Sequence, residues 1–197
     1  MPALTMEQVL TLDAHQVYTV EPKRTLFTLE RIRKEFFQEE LGELMQGITT
    51  EPHSNQKEHE LVEKLRVTDA YIDDLALVYV EQDKIIGFIM YTECFIGDFP
   101  VLALGPLAVL PEKQGQGIGT QLMEASLERA KWSGFAAVVV LGHADYYVRF
   151  GFERADWYGV QAPFDVPLEN YRVLPLYKGA LTDLSGVVTY AKPFYKE

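Results

Sequence analysis

Residues 114–120, QGQGIGT, decide how the rest of this 197-residue chain is read. The apolar run VLALGPLAVL (101–110) precedes them across the polar turn Pro111–Lys113, and a helical pattern follows from about Gly117 to Trp132. In that pattern Ile118, Leu122, Ala125, Ser126 and Arg129 fall along one line and Leu127 and Ala130 on another, and Gly134 stands where the helix would stop. A glycine-rich turn between a strand and a helix leaves the first helical N–H groups free at the positive end of the dipole, worth about half a charge. Glycines at 115, 117 and 119 let an anionic ligand approach the backbone. The same turn also serves simple structural packing, so its neighbours must decide. A dinucleotide fingerprint would place glycine at 120, where threonine stands, and an acidic residue at the end of the next strand, where Leu141-Gly142-His143 stands. A Walker loop needs Gly-Lys-Ser/Thr, a triplet the chain lacks.

Working outward, Gly105-Pro106 interrupts the strand before the loop. Proline has no backbone N–H, so the strand is expected to bend or splay from a neighbour there and leave free backbone groups. Downstream, FAAVVVL (135–141) predicts a buried strand, HADYYVRF a short helix, and GFERADWYGVQ a further strand; YRVLPLY (171–177) and VVTYA (187–191) predict two more. Upstream, LALVYV (75–80), the turn EQDK and IIGFIMYTE (85–93) predict an antiparallel hairpin. Gln16–Val20 reads as extended. Leu29, Ile32, Phe36, Leu41, Leu44, Met45 and Ile48 recur at helical spacing after it. TTEPHSNQ (49–56) reads as a loop, and a helix over about 57–66 puts Leu61, Val62 and Leu65 on one face. The expected fold class is α/β (α+β), with a mixed, mostly antiparallel central sheet splayed at Gly105-Pro106 and flanked by helices. The expected organisation is a single domain over 16–197, after an extension of residues 1–15 in which Thr5 and Gln8 have capping-box spacing.

Bulk properties narrow the partners. A net charge of −11 without a long Lys/Arg cluster argues against nucleic acid and favours a cationic substrate. It also requires any site for an anionic cofactor to be built locally from amides and a few cations. One cysteine, Cys94, excludes an internal disulfide, no segment reads as a secretory leader, and no apolar run approaches the roughly 20 residues that span a bilayer. A cytoplasmic protein with no membrane partner is expected. His15, His53, His59 and His143 lack ligand spacing, and HELVE (59–63) lacks the second histidine of a zinc helix, so no metal is expected. Cys94 reads as a buried small hydrophobe.

The stretch PLAVLPEKQGQGIGTQLM resembles the acetyl-CoA signature of the GNAT superfamily of N-acetyltransferases, with Gln114, Gly117 and Gly119 on its Gln/Arg-x-x-Gly-x-Gly/Ala core. YYVRFGF resembles the family's Tyr-x-x-x-Gly-Phe motif, with Tyr147 four residues before Gly151. LGPLAVLPEKQGQGIG, GHADYYVRFGF and SGVVTYAKPFY are together similar to a bacterial branch of poorly characterised predicted acetyltransferases, over roughly 75–195. The resemblance implies the acyl-CoA N-acyltransferase fold and acetyl-CoA as co-substrate. It implies that Leu107, Ala108 and Val109 offer backbone to the pantetheine arm. It gives the pyrophosphate to Gln114 and the amides of Gly115, Gly117, Ile118, Gly119 and Thr120, with Lys113 a nearby cation. The Val109 amide would meet the thioester oxyanion and Tyr147 would protonate the departing thiolate. A small-molecule amine or a protein amino group is the implied acceptor, and a homodimer the suggested assembly. Where relatives with a dedicated base carry a glutamate, the matching position is Ala103; Glu93 and Asp98, before that strand, are the candidates to reach the amine directly or through water, and His143 is read as a helix cap. Tyr71, Trp157, Tyr158, Phe36 and Phe37 are candidate acceptor-pocket aromatics. Alternatives are a non-catalytic acyl-CoA-binding module, which would not depend on Tyr147, and a transferase of another acyl group.

Overall fold

A computed structural model of the chain describes residues 18–21, 24–28, 44, 58–82 and 84–195. The strands are β1 (Tyr18–Glu21), β2 (Arg24–Thr28), β3 (Leu77–Glu81), β4 (Lys84–Ile96), β5 (Phe99–Val109), β6 (Ala137–Leu141), β7 (Glu153–Arg154), β8 (Val160–Gln161), β9 (Tyr171–Pro175) and β10 (Gly186–Thr189). The helices are α1 (Glu58–Arg66), α2 (Ile118–Trp132) and the single turn α3 (Ala144–Tyr147). They make the mixed, mostly antiparallel sheet with flanking helices that the sequence predicts. The capping box at Thr5/Gln8 and the loop at 49–56 lie outside the described residues. So does the helix over 29–48 apart from Leu44, which is helical and buried.

The described residues divide into two compact units. The first draws on the described residues up to Glu63, on Asp73–Met90 and on Pro106–Ser126. Its β1–β4 form an antiparallel meander, with Leu26 opposite Tyr79 and Val78 opposite Phe88. Leu77–Val80 and Ile85–Met90 are buried apart from the glycine's lack of side chain, so both faces of these strands are covered, as continuous apolar runs require. Arg24–Thr28 is a strand in a stretch to which the sequence pattern assigns no element. Ile118, Leu122, Met123 and Ser126 are the buried face of α2 in this unit.

The second unit draws on Lys64–Ile72, Tyr91–Gly105 and Leu127–Tyr195. β6 lies parallel to β5 and antiparallel to β9, which also pairs antiparallel with β7. β10 pairs antiparallel with the end of β4 and parallel with β8. One core joins Cys94, Val101, Ala103, Val139, Val160, Tyr171, Val173 and Val188. Inside it the Tyr171 and Tyr190 hydroxyls meet at 2.8 Å, which satisfies two polar groups that burial would otherwise penalise. The segment GFERADWYGVQ is not one strand: a 3-10 turn, Ala155–Tyr158, separates the two-residue β7 and β8. The β5–β6 register covers Leu102–Val138 and Ala103–Val139, then stops two residues before Gly105-Pro106 while β5 itself runs on to Val109. The pairing thus ends short of Gly105-Pro106, where the proline predicts an interruption.

Candidate active site

The loop after β5 is braced by backbone carbonyls, one of them on β4. The Leu110 amide donates to Ile86 O (3.0 Å), Lys113 N to Leu110 O (2.8 Å) and Gln114 N to Pro111 O (3.3 Å). The Gln114 side-chain Nε2 reaches back to Val109 O at 3.2 Å, and Gln116 Nε2 to Glu112 O at 3.2 Å. Gly115 (φ 71°) and Gly117 (φ 81°) turn the backbone through the left-handed region, where any Cβ costs about 1–2 kcal/mol. The first α2 amide with an internal acceptor is that of Gln121, bonded to Gly117 O at 3.0 Å. The amides of Ile118, Gly119 and Thr120 are thus the unpaired first-turn donors of a 15-residue helix. Residues 114–117 are exposed, and the buried Ile118 side chain anchors the turn from beneath. Lys113, read from sequence as a nearby cation, is ion-paired with Glu81 at the end of β3. A separation of 32 residues hid that partner from the sequence. Gln121 Oε1 accepts from the Tyr79 hydroxyl (3.2 Å), tying α2 to β3.

Tyr147 belongs to the second unit, on the single turn α3. It is buried, with its ring edge-on to Tyr146 (centroids 5.2 Å, 81° between planes) and to Phe152 (5.6 Å, 69°). Phe152 N bonds to Tyr147 O at 3.4 Å, and the buried Arg172 donates through Nη1 to Phe152 O at 3.3 Å. Burial, with a smaller contribution from neighbouring Tyr146, pushes the Tyr147 phenol well above its ordinary range, so it stays protonated through neutral and mildly alkaline pH. Tyr146 is half-buried under the Arg149 guanidinium, 4.7 Å from its ring centre. Two contacts that sequence reading missed bear on Tyr147: Phe152, and Gly142, whose Cα faces the tyrosine ring. The only sequence signal for Gly142 is a glycine between a strand and a helix.

The remaining candidates separate cleanly. Cys94 is buried and burial raises its thiol far above the reactive range, as expected of a small core residue. His143 is the N-cap residue of α3 through its carbonyl, which accepts from Tyr146 N (3.1 Å); its side chain makes no capping bond. Glu93 is half-buried on β4 with its amide on Ala70 O (2.7 Å), while Asp98 is exposed in the β4–β5 turn. Trp157 and Tyr158 line an open cleft of about 440 Å³ with Pro175 and residues 179–182. Tyr71 is half-buried and bridges to Thr92. Phe36 and Phe37 lie outside the described residues. Among the described residues no cluster of His, Cys, Asp and Glu could hold a metal ion, and no helix is long and apolar enough to cross a membrane.

The mixed sheet and the order strand, glycine-rich loop, helix fit an acetyltransferase domain, and the comparisons agree. A family model for the acetyltransferase (GNAT) domain matches residues 73–154. The chain is 38% identical to the uncharacterized N-acetyltransferase YjhQ of Escherichia coli K12 over 128 residues, 62% of this chain and 71% of YjhQ. It is 31% identical to YhbS of the same organism over 140 residues, 70% of this chain and 83% of YhbS. The structure of E. coli YhbS in complex with CoA matches with a TM-score of 0.75 at 25% identity, covering 90% of this chain and 96% of that one. That of a GNAT acetyltransferase from Brucella melitensis with acetyl-CoA matches at 0.70 and 27%, covering 89% and 100%. The chain belongs to the GNAT N-acetyltransferase family, in the bacterial branch that includes YjhQ and YhbS.

Proposed function

We propose that the protein transfers the acetyl group of acetyl-CoA to an amine by direct attack, with the coenzyme held on QGQGIGT and Tyr147 as general acid, residues 16–197 acting as one acetyltransferase domain. The observation that carries the reading is the set of unpaired amides at Ile118, Gly119 and Thr120, opening a 15-residue helix behind exposed left-handed glycines. Such a turn binds phosphate without cationic side chains, as a protein of net charge −11 requires. Support comes also from the relatives solved with CoA and acetyl-CoA.

In this reading Gln114, Gly115, Gly117, Ile118, Gly119 and Thr120 hold the pyrophosphate, and Leu107, Ala108 and Val109 pair with the pantetheine arm along the strand edge beyond the β5–β6 register. The amine nitrogen attacks the thioester carbon, and the oxyanion that forms is stabilised by the Val109 amide. The C–S bond then breaks, the electron pair leaving on sulfur takes the phenolic proton of Tyr147, and the phenolate regains a proton from solvent, which balances the one the amine releases. A thiol is the stronger acid of the two in water, so the phenol contributes most as a hydrogen bond that strengthens while charge builds on sulfur. The amine's proton leaves to water or a carboxylate, since VLALGPLAVL has no ionisable side chain. The acidic surface favours a cationic acceptor, a small-molecule amine or a protein amino group.

The test is incubation of the full chain with acetyl-CoA and a panel of polyamines, amino acids, aminoglycosides and amino-terminal peptides, with CoA release and product mass measured together. Acetylation of at least one amine, with stoichiometric CoA, is expected. Tight CoA binding with no acetylated amine anywhere in the panel would replace the enzyme by a binding module.

A further inference from the structure

Tyr147 is held against a glycine that needs no special backbone geometry. Gly142, directly after β6, is not among the residues with positive φ, so conformational freedom does not account for it. Space does. A Cβ built on Gly142 would lie 2.4 Å from Tyr147 Cε2, 3.2 Å from Cζ and 3.3 Å from Cδ2. No real Cβ sits at the first of these distances, and an aromatic ring cannot yield one atom without swinging as a body. Side chains on a helix tilt toward its amino terminus, so Tyr147 on the short α3 folds its ring back over the strand end from which that helix springs. The Gly142 amide fixes this floor by donating to Asn170 O at 3.0 Å. Phe152, held through its carbonyl by Arg172, and Tyr146 form two walls.

We infer that Gly142 is a positioning residue for Tyr147: its missing side chain makes the space the ring occupies and so sets where the phenol presents its proton. The inference rests on the general-acid reading for its functional half, while the contact itself stands independently. Any side chain at 142 pushes the ring outward, moving the hydroxyl on the order of 1 Å, a displacement that costs on the order of 100-fold in rate.

Three measurements on the full chain test it. In unfolding by urea, Gly142→Ala is expected to lower the midpoint, and the loss is expected to vanish when Tyr147→Ala has already removed the ring. Equal losses in both backgrounds would show that the glycine serves something other than the tyrosine. With tyrosine labelled at the ring ζ carbon, the resonance that disappears in Tyr147→Phe is expected to shift in Gly142→Ala, and its alkaline titration to move back toward the ordinary tyrosine range; an unmoved resonance overturns the inference. With acetyl-CoA and the panel amine acetylated fastest, Gly142→Ala is expected to lower kcat on the order of 100-fold while KM for acetyl-CoA stays within about twofold. Added to Tyr147→Phe it should cost nothing further. A full multiplicative loss in that double variant would overturn the functional half. If instead Tyr147→Phe itself keeps the full rate, the general-acid reading fails, and the unfolding and resonance measurements still decide whether Gly142 places the ring.

Discussion

In the proposed site the groups that QGQGIGT would offer a ligand are backbone amides, whereas Tyr147 would offer one hydroxyl, held by packed rings over a glycine. The first region is exposed and depends on dihedral angles: Gly115 and Gly117 in the left-handed region and the unpaired first turn of α2. The second is buried and depends on volume, with Gly142 beneath the ring and Phe152 and Tyr146 beside it. The difference separates two kinds of tolerance. A backbone-built site survives most changes of side chain and fails where φ is altered. A site built from packed side chains survives changes of surface charge and fails where a single carbon atom is added.

The largest effect should come from the second region. Removing only the hydroxyl, Tyr147→Phe, is expected to lower kcat by roughly 10²–10⁴-fold, the usual range for losing a general acid, with KM for acetyl-CoA nearly unchanged. The pH profile sharpens this prediction. Burial raises the Tyr147 phenol above its ordinary value of about 10, so the protonated form persists and the rate should not fall on the alkaline side until pH exceeds about 10. The sign for stability is the same: the folded state binds the phenolic proton more tightly than the unfolded chain, a contribution intact below about pH 10 and lost as pH rises beyond it. Tyr171 and Tyr190, also raised by burial, add to that alkaline loss. A rate limb below about pH 9 that disappears in Tyr147→Phe would place the phenol in water and break the contrast.

A smaller and different effect is expected at the cradle. Gly117→Ala meets the left-handed penalty of about 1–2 kcal/mol, and relaxing out of φ 81° turns the following amides away. Calorimetric titration with CoA should show affinity weakened by roughly tenfold, while kcat at saturating acetyl-CoA changes little. Gln116→Ala, whose exposed side chain only reaches Glu112 O, should leave affinity within about twofold. Equal losses at 116 and 117 would mean that side chains, not backbone, make this site.

The same distinction explains what the chain shows before it folds. The hairpin of β3 and β4, the β6 strand and α2 are legible because each is a continuous apolar or helical pattern, and Gly105-Pro106 announces where the β5–β6 register stops. The cradle is legible for a related reason: glycine spacing and a helix start are local properties. What is not legible arises from packing or distance. RTLFT at 24–28 is too short to announce itself, and β2 is defined by its register with β3, some 50 residues on. GFERADWYGVQ has enough aromatic and apolar residues for a strand, yet its 3-10 turn and Gly159 divide it. The motif singles out Tyr147 from its neighbour Tyr146, but nothing local says that the residue five positions earlier must lack a Cβ.

The smallest effect tests whether the cradle is as independent of side chains as its amides suggest. Lys113 stands one residue before Gln114, and its ammonium is already engaged by Glu81. Two opposite charges in contact present little net field at a distance, so Lys113 should contribute far less to holding an anion than its position implies. Glu81→Gln removes the carboxylate and leaves the ammonium unopposed, making the loop more positive by one charge; CoA should bind more tightly, by up to about fivefold at low salt. Lys113→Gln removes one positive charge from the loop and should weaken binding by a similar factor. Both effects should shrink as salt rises, because the screening length falls from about 10 Å at 0.1 M to about 3 Å at 1 M. Titrations of each variant with CoA at low and high salt read the sign directly. If Glu81→Gln weakens binding instead, the carboxylate is orienting Lys113 toward the coenzyme. The cradle would then rely on a positioned side chain, as the tyrosine does.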